Sequence, residues 1–363
     1  MRLTRFAASI LLLCCGLYGC GLGAGRDFDE NRNSGPQSEK TAQRDAQKKP
    51  RAAVNPNKFA IVIAGVGGEA AYTEKFTTQA LSLHDALTER LGFDEKHVFL
   101  LTEKPVAGPE NALGSPARRA TADDVRKAFE EVKAASAAEA IVLVVLIGHG
   151  SFDSQQAKFN LAGPDLTAKD YASALGSLGP RRVVFVNTAS SSGEFVKPLS
   201  GENRIVITAT RSGNEQNVTV FAEHFIAALN NPASDADKNN RVSVLEAFEY
   251  ATRLTADWYK QNDRLASEHA LIDDNGDGTG HEEAKDGDGV LAKTTYLDST
   301  GVAQAGDDRE LARLLGERQK LEESIEKLKA RKGEMKPEEY DAELERLLVE
   351  LATLNQTIKG RQK

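Results

Sequence analysis

Apolar and polar positions fall into blocks along the chain. Residues 59–64 form a short apolar run stopped by Gly65. Over 73–91, Phe76, Ala80, Leu83 and Leu87 share one stripe at helical spacing, which predicts an amphipathic helix. Residues 98–101 read as a second strand. Thr121 with Asp124 has capping-box spacing and opens a helix through Val125, Phe129 and Val132. Residues 140–147 are apolar without a break. A strand apolar on both faces is covered on both faces, as at the centre of a parallel sheet. Thr167 and Asp170 mark another helix start, running to about Leu178, and 182–186 and 204–208 are further strands. Helices are predicted near 217–229 and 243–261. Strands alternating with helices imply right-handed crossovers, with ligands at the carboxyl ends of the strands. The expected class is α/β with a mainly parallel central sheet.

The pattern changes from about Asp307. Leu314, Leu321, Ile325 and Leu328 keep heptad spacing, and Gly333 and Pro337 interrupt it. Tyr340, Leu344, Leu347, Leu351, Leu354 and Ile358 then follow alternating steps of four and three, the seam of a coiled coil. Residues 307–363 are expected to form a C-terminal helical hairpin. It packs on itself, pairs with a second copy, or seats a coiled-coil partner.

The first residues read as an address. Two arginines lie within residues 1–5, and the apolar stretch 6–17 is too short to span a bilayer comfortably, a secretory signal pattern. It ends in Leu17-Tyr18-Gly19-Cys20, which resembles a bacterial lipobox and makes Cys20 the expected lipidation site. Tyr18 is atypical there, and cleavage after Ala24 is the alternative. Gly21 and Leu22 carry no aspartate retention signal, so the expected place is the outer membrane facing the periplasm. Residues 21–56 are polar and bury too little to offset chain entropy, so they read as a disordered tether. The expected organisation is 1–20 signal, 21–56 linker, 57–262 α/β domain, 263–306 acidic Asp/Gly-rich loop segment, and 307–363 hairpin.

Composition narrows the chemistry. A length of 363 residues suits one sizeable domain with appendages. The net charge is −8 with no block of Lys and Arg, which argues against a nucleic-acid partner. The three cysteines, Cys14, Cys15 and Cys20, all lie in the leader. Disulfides, thiolate metal sites and a cysteine nucleophile are therefore excluded from the folded part.

Two strand ends carry candidate chemistry. Gly148-His149-Gly150 follows the central strand, and residues 187–193, Asn-Thr-Ala-Ser-Ser-Ser-Gly, follow the strand after it. A histidine and a small hydroxyl facing each other form the base-plus-nucleophile arrangement of acyl transfer. The N–H groups of Gly150 and Ser190 are candidate oxyanion donors. Residues 65–70 fit the dinucleotide pattern GxGxxA, but Glu103 lies too far along for its acidic partner, and a glycine-rich loop at the mouth of the site is the better reading. His84, His97, His224, His269 and His281 have no metal spacing.

These residues carry a family resemblance. The strand ending in Gly148-His149-Gly150, the segment 188–193, and the strand 205–210 followed by Arg211-Ser212 resemble the caspase and legumain group of cysteine peptidases, the legumain-type branch above all. The resemblance covers about residues 57–260. It implies a three-layer caspase/legumain-like sandwich, a retained histidine at His149, and a substrate-binding edge at Arg211 and Ser212; Arg211 itself reads either as favouring an acidic side chain or as a surface arginine. It also places Ser190 where the family has its nucleophilic cysteine. A serine hydroxyl needs a well-aimed base, so a plain exchange of cysteine for serine loses most activity. The first expectation is a pseudopeptidase that binds peptide or protein. An active hydrolase with Ser190 as nucleophile and His149 as base is the alternative. A structural envelope protein acting through its hairpin is the third reading.

Residues 235–246 have EF-hand spacing. Asp235, Asp237, Asn239, Ser243 and Glu246 supply oxygen at places 1, 3, 5, 9 and 12, and the carbonyl of Arg241 at place 7. Asn240 stands in for the usual glycine at place 6 and tolerates the left-handed conformation better than most residues. Asp273, Asn275 and Asp277 begin a second such loop, followed by Asp286 and Asp288, but place 12 is Ala284. Ca2+ is the expected cofactor, ordering 232–290 beside the site edge.

Overall fold

The computed structural model describes residues 51–105, 117–285, 287–306 and 308–361, with the backbone alone for 302–304. Cys20, the signal, most of the linker and Asp286 lie outside the described residues.

A seven-stranded sheet organises the domain. Its strands are β1 (Lys58–Ala64), β2 (Val98–Thr102), β3 (Arg118–Arg119), β4 (Ile141–Ile147), β8 (Arg182–Asn187), β9 (Arg204–Thr208) and β10 (Leu271–Asp273), in the order β10-β9-β8-β4-β1-β2-β3. All neighbours are parallel except β10, which runs antiparallel to β9. The unbroken apolar run of 140–147 becomes β4 at the centre. Successive side chains alternate between faces. Val62, Val145, Val186 and Ile207 line up across one face, and Ile61, Val144, Phe185 and Val206 across the other.

Helices cover both faces. On the first, α1 (Ala70–Asp85), α5 (Phe221–Ala228), α6 (Val244–Gln261) and α7 (Val290–Thr294) bury Phe76, Phe225, Phe248 and Leu291 against the sheet. On the second, α2 (Ala122–Ala135), α3 (Ala168–Ser177) and the short α4 (Val196–Leu199) contribute Phe129, Val132, Tyr171, Leu175 and Leu199. The start signals work as their spacing predicts: Thr121 caps α2, and Thr167 with Asp170 forms a capping box on α3. A small sheet of β5 (Gly150–Phe152), β6 (Ala157–Phe159) and β7 (Leu166–Thr167) folds over the carboxyl edge, placing Phe159 against Gly65 and Gly148.

Three expectations shift. The helix near 217–229 begins at Phe221, because the buried carboxylate of Glu268 accepts the N–H groups of Val220 and Phe221. The helix near 243–261 starts at Val244, with Ser243 and Glu246 as its capping box. Residues 263–306 are more than an acidic loop. Leu271 and Ile272 pair with β9, Asp274 accepts the N–H groups of Gly289 and Ala292 to start α7, and α8 (Thr300–Ala305) follows.

Two long helices end the described chain, α9 (Arg309–Ala330) and α10 (Pro337–Arg361). Ile325, Leu328, Tyr340 and Leu347 are buried between them, flanked by Leu321, Leu344 and Leu351. Arg182, the first residue of β8, pairs with Glu323 at 3.0 Å, and Lys293 with Glu326 at 2.9 Å. The pair is thereby fastened to the amino ends of the strands, opposite His149. Among the described residues no helix is long and apolar enough to cross a membrane.

Candidate functional site

The carboxyl edge of the sheet brings the sequence-predicted residues together. His149 follows β4 and Ser190 follows β8, adjacent parallel strands whose last pair is Leu146 with Asn187. The Gly65–Gly68 loop leaves β1 on the other side of β4, and Arg211 follows β9.

His149 is half-buried. The rings of Tyr72 and Phe76, both on α1, meet its imidazole edge-on, with centroids 5.1 and 5.0 Å away. Burial holds its pKa below the ordinary 6.5; a hydrogen bond to the Gly67 carbonyl pulls upward and Lys75 pulls downward. Burial therefore favours the neutral ring.

Ser190 is 3% exposed. Its Oγ donates to the Gly150 carbonyl at 3.1 Å and accepts the Gly150 N–H at 3.2 Å. The hydroxyl is thus closed on the backbone of Gly150 rather than on His149. The same contact occupies the N–H expected to serve an oxyanion. Only a glycine fits at 150, because a Cβ there would lie 2.4 Å from the Ser190 carbonyl oxygen. Around the turn, Ser191 adopts the left-handed conformation at φ 55°, and Ser192 Oγ and Thr210 Oγ1 lie 3.1 Å apart. Gly193 presses on the Arg211–Ser212 peptide.

The region around Arg211 contains a residue that sequence reasoning missed. Glu215 accepts the Arg211 N–H at 2.9 Å and stands 3.3 Å from its Nε, while Glu282 takes Nη1 at 3.4 Å. Glu215 also meets His269 Nδ1 at 2.5 Å, and its carbonyl accepts the Ser191 N–H. Two carboxylates thus offset the charge expected to attract an acidic side chain. Ser212 Oγ accepts the Asn214 N–H at 3.3 Å. No spacing rule ties 215 to 269; only the fold joins them.

In the 235–246 loop three of the six expected ligands come together. Carboxylate oxygens of Asp235, Asp237 and Glu246 lie within 4.8 Å of one another. Lys238 and Asn240 take φ of 60° and 65°. Asp235 accepts the N–H groups of Asn239 and Asn240, Asn239 Oδ1 accepts that of Arg241, and Glu246 accepts those of Ala236, Asp237 and Ser243. The Arg241 side chain turns away to Asp298 at 2.8 Å and covers the Tyr296 ring. The Asp298 carbonyl in turn accepts from Lys58, the first residue of β1. This loop therefore belongs to the amino edge. The expectation that it flanks the site edge is corrected.

The second loop has the same internal pattern. Asp273 accepts the N–H groups of Gly276 and Gly278, and Asn275 and Asp277 accept those two places onward. Glu246 of the first loop takes the N–H groups at places 2 and 3; here Asp288 does, from Asp274 and Asn275. Asp288 thus takes the two hydrogen bonds that Ala284 cannot, and its other oxygen meets His281 Nδ1 at 2.7 Å. Burial raises the pKa of Asp273, and that of Asp274 to about 6.

No family model matches the chain, and no curated protein matches it. Among solved structures, the crystal structure of protein GSU0716 from Geobacter sulfurreducens aligns with 60% of this chain and 93% of its own, at 13% identity and a TM-score of 0.40.

Proposed function

We propose that the protein is a non-catalytic, caspase/legumain-like binding protein of the bacterial cell envelope. Its ligand is a peptide or protein segment held at the carboxyl edge of the sheet. The carrying observation is the closed pair of Ser190 and Gly150, which removes the nucleophile from the base and fills the oxyanion donor. A productive site needs the nucleophile within reach of its base and a free donor for the developing charge. Helices on both faces of a mainly parallel sheet agree with the three-layer sandwich of that group. In this reading the lipid on Cys20 anchors the chain and residues 21–56 hold the domain off the membrane. Ca2+ occupies the 235–246 loop as a structural ion at the amino edge, with a second ion at 273–288.

Peptide-array binding tests the proposal. Ligands captured by the full chain and lost in His149→Ala support it; turnover of any captured peptide contradicts it.

A second reading has its own observation. Leu348 and Val349 are 47% and 59% exposed on α10, beside a shallow groove with Leu344 and Ala352. In this reading α9 and α10 form a coiled-coil hairpin whose outer face takes a partner helix or a second copy. Because the hairpin sits opposite His149, it would bind independently of the site.

A further inference from the structure

We propose that the outer face of α10 pairs with a second copy of this chain, the two α10 helices packing antiparallel. The helix carries two heptad seams. Tyr340, Leu344, Leu347, Leu351, Leu354 and Ile358 pack with α9. One residue on, about 100° round the helix, a second seam repeats the same alternating steps of four and three. It consists of Asp341, Glu345, Leu348, Ala352, Asn355 and Lys359, all exposed. Leu348, Val349 and Ala352 line a shallow groove along it, with Asp341 and Glu345 toward one end. A seam at this spacing is the surface that another helix packs on.

The order of charges along the seam picks the occupant and its direction. In an antiparallel copy with the two-fold axis at Glu350, residues equally far from the axis stand at one height. Asp341 then meets the second copy's Lys359, Glu345 its Asn355, and Leu348 its Ala352, and each pair occurs twice. Opposite charges close the two ends, and a large apolar side chain faces a small one between them. A parallel copy in register would set Asp341 on Asp341 and Lys359 on Lys359, which is unfavourable. Both charges are available. The other cations of α10 are held within the chain, Arg346 by Glu343 and Glu350 and Arg361 by Asp308. Among the described residues Asp341 and Lys359 have no ion partner. Because the hairpin is fastened opposite His149, this pairing leaves the carboxyl edge of each copy open, and a ligand with two binding segments gains from both. The proposal deepens the second reading of α10 given above and rests on it.

The test is sedimentation of the full chain from about 1 to 100 µM, where a dimer must dissociate on dilution. The wild type is expected to be a dimer at the upper end. Asp341→Lys and Lys359→Asp, each placing like charges together at both ends, are expected to weaken dimerisation roughly tenfold. The two substitutions combined restore the pairs in reverse and are expected to restore the dimer. Leu348→Lys is expected to leave a monomer. All three positions are exposed, so the variants keep the fold. A monomer throughout, or a dimer that ignores the charge exchanges, overturns the proposal. The reading of the face as a docking surface is scored separately, by capture from an envelope extract. A monomeric chain that captures a partner, and loses it in Leu348→Lys, sinks the proposal and keeps that reading. If neither dimerisation nor capture depends on Leu348, both fall.

Discussion

Ser190 and Gly150 satisfy each other: one hydroxyl both donates to and accepts from the backbone of a single residue 40 positions earlier in the chain. The pairing joins the ends of two neighbouring parallel strands across the site. It makes the serine a structural clasp. Substitution to alanine leaves a part-buried N–H and C=O without their partner. Each such group costs about 1–3 kcal/mol when unsatisfied, partly relieved by water. Ser190→Ala is expected to lower stability by about 1–2 kcal/mol in urea unfolding. No loss of stability would mean the clasp is not formed in solution.

The glycine at the turn's far end is equally constrained. A Cβ at Gly193 would stand 2.3 Å from the Arg211 carbonyl carbon and 2.5 Å from the Ser212 nitrogen, both backbone atoms. Overpacking against backbone costs about 1–3 kcal/mol or more. Gly193→Ala is expected to lose at least that much and to shift the Arg211 and Ser212 amide resonances. A variant as stable as the wild type would contradict the packing.

Much of this architecture is legible in the sequence. The eight apolar residues of 140–147 demand cover on both faces, and β4 has it. Leu314, Leu328, Tyr340, Leu347 and Ile358, chosen by heptad steps, are buried in the C-terminal helices. Asn240 at φ 65° sits where an EF-hand-like spacing needs a left-handed residue. What stayed hidden depends on long-range meetings. Glu215 with His269, Glu103 with Gly67, and Lys58 with Asp298 join segments that carry no mutual spacing signal. The acidic run at 273–288 hid β10 because charge outweighs a two-residue apolar patch in any local average. The closure of Ser190 was invisible for the same reason: a motif names residue types, not hydrogen-bond directions.

Lys58 makes stability depend on pH. It is buried at the start of β1, where its ammonium donates to the carbonyls of Leu91, Leu297 and Asp298. Burial brings its pKa from 10.5 to about 7, with Asp298 pulling up and Arg241 pulling down. Between those values the unfolded chain holds a proton that the native chain has released. Stability is therefore expected to rise with pH from about 7 toward 10.5 and to lack this term below 7. Urea midpoints at pH 6, 8 and 9 check it. Lys58→Met removes the rise and leaves buried carbonyls unpaired, so it is also destabilising at pH 6. A pH-independent difference between the two proteins would contradict the titration.

Calcium is expected to act at the amino edge, not at the site. Millimolar Ca2+ should raise Tm, and Asp237→Ala should abolish the rise while changing the calcium-free Tm little, because Asp237 is exposed. The same titration should leave the His149 and Ser191 resonances in place. A wild-type Tm indifferent to Ca2+ would remove the ion from the account.

The most direct test of the central claim uses a fluorophosphonate probe on the full chain with Ca2+ present, read by intact mass. Ser190 held on Gly150 and uncoupled from His149 predicts no adduct. A stoichiometric adduct abolished by both Ser190→Ala and His149→Ala would show a working serine nucleophile and contradict the account.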